Sequence, residues 1–209
     1  MHTLFLDFSS GTKSIGLILP NSTAVLRPID DHTNEAGLMD TLLALLKAHN
    51  ASLTDLHRIA VTVGPGGFMS IRVGIALANA LSWSLKIPLA GIHLSDLWEA
   101  RTQTSNLKPQ TFLWLHSTKK EFFFIRGFGD FEKQWPEPIL ISLTDLRSKL
   151  TAHSSQLPFV GELLQGQRTA LPMLTEKTDA RSIEDVLPAL LESLTYAQKT
   201  LEPWYGRGA

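Results

Sequence analysis

Apolar and polar residues along this chain switch repeatedly between a period of two and a period near 3.6, the signature of alternating strands and helices. Residues 3–8 and 14–19 read as two strands. Ser9-Ser10-Gly11-Thr12-Lys13 between them has the small polar residues of a tight connection. Pro20-Asn21-Ser22 breaks the second strand, and 24–29 continues the meander. From 34 to 48 the residues Leu38, Met39, Leu42, Leu43, Leu45 and Leu46 recur at helical spacing, with Thr33 or Asn34 as cap and Glu35 at the positive end of the helix dipole. A β-branched strand over 58–63 then runs into Gly64-Pro65-Gly66-Gly67, a second helix spans 68–85, a strand follows at 88–92 and a helix at 95–102. The polar, proline-containing stretch 104–110 marks a boundary. Beyond it, 112–116, 122–128 and 159–161 read as strands, and 142–150 as a helix opened by Ser142 with Asp145 three residues on. A last helix covers 182–200, interrupted near Pro188. Strands then helices, met twice, predict a mixed α/β protein. Its first lobe is 1–105 with the C-terminal segment of about 182–209 packed back on it, and its smaller second lobe is 106–181. No internal repeat or low-complexity tract is visible.

The helix over 68–85 stands out because Phe68, Met69, Ile71, Val73, Ile75, Ala76, Leu77, Ala78, Ala80, Leu81, Trp83 and Leu85 cover nearly every side. Such a helix is buried on two faces, either as a central core helix or between its own lobe and a partner subunit. Gly74, Ala76, Ala78 and Ala80 let a second helix approach closely. No apolar run comes near the ~18 uninterrupted residues of a bilayer span.

Composition narrows the functions open to the chain. Its 209 residues carry a formal net charge of −1, so no basic field exists to grip a polyanion, and strong direct RNA binding is not expected. It has no cysteine, which removes disulfides, thiolate metal sites and a cysteine nucleophile together. The start, with no basic flank or long apolar core, does not read as a signal peptide, and a cytoplasmic location is expected.

Candidate chemistry is sparse. A strand, a glycine turn and a helix N-terminus can form an anion site, but the Lys-Ser/Thr of a phosphate loop is replaced by Phe68-Met69-Ser70. Tight strand-to-helix packing explains Gly66 and Gly67 equally. Asp7, Ser9 and Ser10 at the end of the first strand are either an ordinary turn or, as in actin-like ATPases and sugar kinases, contacts to nucleotide phosphates and their metal. His32 stands near Asp30, Asp31 and Glu35, but Ala36 occupies the position where a helical metal pair needs its second histidine, so no metal site is expected. No Gly-x-Ser-x-Gly elbow is present, and no catalytic residue is assigned.

The run Val61-Thr62-Val63-Gly64-Pro65-Gly66-Gly67-Phe68-Met69-Ser70-Ile71-Arg72-Val73-Gly74-Ile75-Ala76, continuing to Ile87-Pro88-Leu89-Ala90-Gly91, resembles the TsaB (YeaZ) family. Leu6-Asp7-Phe8-Ser9-Ser10, His32-Thr33-Asn34-Glu35, Asp55-Leu56, Arg58-Ile59-Ala60-Val61 and Glu202-Pro203-Trp204-Tyr205-Gly206-Arg207 are similar to further motifs of that family, most closely up to about Leu97. The resemblance implies a two-lobed actin-like, Hsp70-like (ASKHA) ATPase fold with a degenerate active site. It also implies a non-catalytic scaffold or activating role in forming threonylcarbamoyladenosine on tRNA, beside the catalytic homologue TsaD, with the ATPase TsaE joining the assembly. No tightly bound cofactor is implied, although ATP or ADP with magnesium could sit at the complex interface. The partner contacts expected on this basis are Leu38, Met39, Leu42 and Leu46 of the first helix and Met69, Val73, Ala76 and Ala80 of the second. The same helices could instead build a homodimer. A stand-alone actin-fold phosphotransferase or peptidase is the alternative, and it would depend on Asp7. Gly67, Met69 and Ser70 depart from the family pattern, as do Phe8 and His116-Ser117-Thr118.

Overall fold

A computed structural model describes residues 1–30, 35–103, 110–151 and 156–206. The chain divides into two compact units, Met1–Leu94 with Ser182–Trp204, and Ser95–Arg181 with Tyr205–Ala209. The boundary expected over 104–110 therefore moves back to Leu94, and nearly all of 104–110 lies outside the described residues.

The first unit holds β1 (His2–Asp7), β2 (Ser14–Ile18), β3 (Ala24–Pro28), α1 (Glu35–Ala48), β4 (Leu56–Gly64), α2 (Phe68–Leu85), β5 (Leu89–His93) and, near the chain's end, α6 (Ile183–Ser193). Its sheet has the order β3-β2-β1-β4-β5. The β1–β2–β3 meander is antiparallel, with Asp7 opposite Ser14, while β4 and β5 run parallel to β1 and to each other. Alternation along β1 sorts the side chains by face. Leu4 and Leu6, with Phe8 just beyond, join one core with Leu38, Leu42, Leu45 and Leu46 of α1 and Ile71, Ile75, Ala78 and Leu81 of α2. Phe5 and Asp7 point to the opposite face, where they are also fully buried.

Two-sided burial explains the near-continuous apolar reading of β1 and β4. Each of the four α1 leucines contributes about 1.5–3 kcal/mol by leaving water. Leu38, Leu42 and Leu46, expected at a partner interface, are thus committed to the chain's own core.

Helix α2 is an 18-residue segment of mean hydropathy 1.3 with 33% of its residues buried, long and apolar enough by composition to cross a bilayer, contrary to the sequence expectation. In this fold it is the crossover between the neighbouring parallel strands β4 and β5, packed on both. It is covered on one side only, where its own Ile71, Gly74, Ile75, Ala78, Leu81 and Ser82 are buried. Gly74 lets Phe8 in, since a Cβ there would lie 2.8 Å from the Phe8 ring.

The final helix is shorter than expected. It runs through Pro188 without a break and ends at Ser193, and Leu194 is extended. The chain then forms a strap over the first unit. Leu89 and Ala197 exchange backbone hydrogen bonds (3.0 and 3.1 Å), the Asn79 side chain pairs with both backbone groups of Leu201 (3.0 Å each), and the Trp204 amide donates to the Val63 carbonyl (2.8 Å). Gly64, at φ +129°, has the Trp204 carbonyl 2.5 Å from where a Cβ would sit, so this position requires glycine.

The second unit contains most of α3 (Leu94–Thr102), then β6 (Phe112–Lys119), β7 (Phe122–Phe128), β8 (Ile139–Ser142), α4 (Leu143–Leu150), β9 (Leu157–Glu162), α5 (Gln165–Ala170) and β10 (Leu174–Glu176). Arg126 of β7 bonds Asp96 (2.5 Å) and Ser95 (2.9 Å), which ties α3 to this unit. Ser142 caps α4 by accepting from the Asp145 amide at 3.0 Å, as its sequence predicts. The sheet order β10-β9-β6-β7-β8 has an antiparallel β6–β7–β8 meander with β9 parallel to β6 and β10 parallel to β9. Read from β8, this repeats the topology of the first sheet, a duplication of fold that leaves no trace as a sequence repeat. The elements β8, α5 and β10 were not read from the sequence.

Candidate functional site

Two turns meet in the first unit. The β1–β2 turn is folded around the Asp7 carboxylate. One of its oxygens accepts from the Ser9 amide (3.0 Å), the Ser10 amide (3.2 Å) and the Thr62 hydroxyl (2.8 Å), and the other from the Ser10 hydroxyl (2.5 Å). Thr62 Oγ1 in turn accepts from the Phe8 amide (3.2 Å), which joins β4 to the same network. From β4 the Gly64–Gly67 turn passes directly over Ser9, and a Cβ on Gly66 would lie 2.6 Å from the Ser9 carbonyl oxygen. Asp7, Ser9, Ser10 and Gly66 are therefore brought together as the residue pattern suggests.

Their chemistry differs from the nucleotide contact weighed for them. Asp7 and Ser9 are buried, and the carboxylate is already satisfied by four donors of its own chain. These residues do not fit a phosphate-bound magnesium ion. They anchor a turn. Gly67 is exposed at the start of α2 and, having no side chain, offers the helix no cap. Thr62 was missed from the sequence, although a hydroxyl inside a β-branched strand, two residues before the glycine turn, was the available signal. His32, Thr33, Asn34 and Arg207 lie outside the described residues.

The second feature is the uncovered face of α2. Trp83, Met69 and Phe68 are 84%, 65% and 54% exposed, Arg72, Ala76 and Ala80 are exposed beside them, and Val73 is half-buried. Arg72 lies over the Phe68 ring at 4.2 Å. On α1, Met39 is half-buried and Leu43 exposed, so these, rather than Leu38, Leu42 and Leu46, are the apolar side chains α1 can offer. The 3.6-residue period that made α1 a helix also decides which leucines face the core. Phe68 and Trp83 were read as part of the apolar helix but not as contact residues.

In the second unit, the diverged residues His116 and Ser117 serve internal packing. Buried His116 has Nδ1 3.8 Å from Glu162, and Gln167 donates to Ser117 Oγ (2.6 Å) and to the carbonyls of Lys119 and Lys120 (2.9 and 3.0 Å). Burial raises the pKa of Glu99 above the ordinary carboxylate range, with Arg126 opposing that shift. No cluster of three metal-ligating side chains occurs among the described residues.

Two five-stranded α/β units of the same strand order define the class: a mixed α/β protein with a duplicated fold. The family model described as TsaD, tRNA N6-adenosine threonylcarbamoyltransferase, matches residues 30–136, just over half of the chain. The chain belongs to this family. It is 35% identical over 98 residues to a tRNA N6-adenosine threonylcarbamoyltransferase of Syntrophus aciditrophicus, a match covering 46% of this chain and 29% of that one. It is 33% identical over 94 residues to the tRNA threonylcarbamoyladenosine biosynthesis protein TsaB of Bacillus subtilis, covering 44% and 41%. With TsaB of Buchnera aphidicola subsp. Baizongia pistaciae the identity is 25% over 163 residues, covering 76% and 73%. The chain thus spans less than half of the first two relatives. Among solved structures, a protein with similarity to peptidase YEAZ from Pseudomonas aeruginosa shares the fold at a TM-score of 0.70 and 16% identity, with 99% of both chains covered.

Proposed function

We propose that this chain is the non-catalytic scaffold and activating subunit of the tRNA threonylcarbamoyl transferase, supporting TsaD in forming threonylcarbamoyladenosine on tRNA. The observation that carries this reading is the uncovered face of α2. Three large apolar side chains, Phe68, Met69 and Trp83, stand in solvent on one helix, with the small residues Ala76 and Ala80 between them. Apolar surface concentrated in this way marks a protein contact, and the small residues let a partner helix come close. Membership of the family supports TsaD as that partner. The first-hairpin acid supports the non-catalytic role, since Asp7 is consumed by its own turn.

The contacts assigned to the partner are Met69, Val73, Ala76 and Ala80 of α2, with Met39 at the edge of α1. Ala76→Arg abolishes co-purification with TsaD while leaving the lone chain folded, because residue 76 is exposed. A complex that survives this change overturns the interface. ATP turnover or peptide cleavage by the isolated chain, lost in Asp7→Ala, would instead make it an enzyme in its own right.

A further inference from the structure

The exposed stripe of α2 runs through Phe68, Arg72, Ala76 and Ala80 at a spacing of four and reaches Trp83 at the helix end. There the C-terminal strap comes alongside, and Trp83, Ser84, Lys86, Lys199 and Thr200 line an open groove of about 640 Å3. The remaining polar side chains of the groove are already engaged. Asn79 holds Leu201, Ser82 Oγ donates to the Ile87 carbonyl (2.6 Å), and Gln198 donates to the Lys86 carbonyl (2.7 Å). An incoming molecule therefore meets one indole, two ammonium groups and the hydroxyls of Ser84 and Thr200. Neither lysine is in an ion pair among the described residues. No acidic side chain lines the groove, and α2 itself contains none.

We infer that this groove is the anchoring end of the partner interface, and that it takes a segment of the partner protein bearing an apolar side chain for Trp83 and carboxylates for Lys86 and Lys199. The inference rests on the reading of α2 given above and adds the chemistry the partner must present. Continuity argues for a protein, because Trp83 lies on the same helix face as Ala76 and Ala80, and exposed tryptophans act as interface anchors. Charge argues for an acidic one, since Lys86 and Lys199 are the only charged side chains that line the groove among the described residues.

RNA fits less well. Two lysines neutralise few phosphates, and the whole chain has a net charge of −1. A second copy of this chain fits less well too. Its α2 contains no acidic side chain to meet Lys86 and Lys199 in a two-fold contact.

The test measures affinity of the full chain for TsaD of the same organism at about 50 and about 300 mM KCl, a range over which screening weakens exposed charge pairs. The double variant Lys86→Glu, Lys199→Glu binds about tenfold or more weakly at low salt and loses most of the salt dependence, while Trp83→Ala weakens binding at both salts. All three positions are exposed, so circular dichroism of the variants matches the parent. Unchanged affinity and salt response in the lysine variant, alongside loss of binding in Ala76→Arg, overturns the groove and leaves the α2 interface standing. A parent chain that forms no complex overturns both. Lysine-dependent capture of a fluorescein-labelled oligoadenylate by the lone chain assigns the groove to RNA and also overturns the inference.

Discussion

Replacing Asp7 with alanine removes an acceptor that four donors of the same chain share. Two of the four, the Ser9 amide and the Thr62 hydroxyl, belong to buried residues where water does not easily substitute. An orphaned buried donor costs about 1–3 kcal/mol, more when its lost acceptor was charged, so Asp7→Ala destabilises by about 3–5 kcal/mol. Asp7→Asn separates charge from shape. Its amide oxygen still serves the three donors on Oδ1, and its nitrogen donates to Ser10 Oγ in place of accepting from it. The loss is then about 1 kcal/mol. In a chain of this size 1 kcal/mol shifts the melting temperature by about 2–4 °C, so alanine lowers it by about 10 °C and asparagine by about 3 °C. Thermal unfolding followed by circular dichroism reads both. An Asp7→Ala protein that melts within about 2 °C of the parent would refute the anchor and return the carboxylate to the list of ligand contacts.

Three further outcomes follow from the packing. Gly74→Ala places a methyl against the Phe8 ring and destabilises by about 1–3 kcal/mol, whereas in a Phe8→Thr background the same change costs less; additive effects in this cycle would show that the two sites are independent. Gly64→Ala, with φ +129° and the Trp204 carbonyl in the way, costs at least about 2 kcal/mol and loosens the strap, seen as faster proteolysis after Leu194; equal protease sensitivity would contradict the clash. Burial pushes the Tyr196 phenol up to about 12, with Arg58 opposing and Glu192 adding to the shift. The folded phenol holds its proton above the ordinary value of 10.0, so its contribution is complete below pH 10 and is lost as pH rises toward 12. Discounted for solvent screening, that contribution is at most about 2 kcal/mol. Ultraviolet titration shows one of the two tyrosines ionising near pH 12, and Tyr196→Phe removes that step; its persistence would assign it elsewhere.

Local periodicity made much of this fold readable, and long-range placement limited the rest. Helix α2 was legible to its ends because Gly67 and the residues before Pro88 bracket an unbroken apolar run. The face it leaves uncovered was not, because twelve apolar or small residues give no direction until β4 and β5 cover one side. Helix α1 shows the same division. Its leucine spacing announces a helix, yet only the packed sheet reveals that Leu38, Leu42 and Leu46 face inward while Leu43 does not. The first hairpin was recognised by Asp7, Ser9 and Ser10, but the donor that settles the role of the carboxylate is Thr62, 55 residues away. The strap was read as helix because Leu194 to Thr200 has no glycine or proline to end one; what straightens it is pairing with Leu89 and Asn79. The short elements β8 and β10 exist only as neighbours of β7 and β9, and four- and three-residue segments carry too little periodicity to declare themselves.

The central claim is that the uncovered α2 face belongs to TsaD. Mixing the purified chain with equimolar TsaD of the same organism and measuring mass by light scattering during size-exclusion chromatography tests it most directly. The account predicts a heteromeric species containing both chains, formed by the parent protein and lost with Ala76→Arg. Two separate peaks at the masses of the unmixed proteins would contradict it.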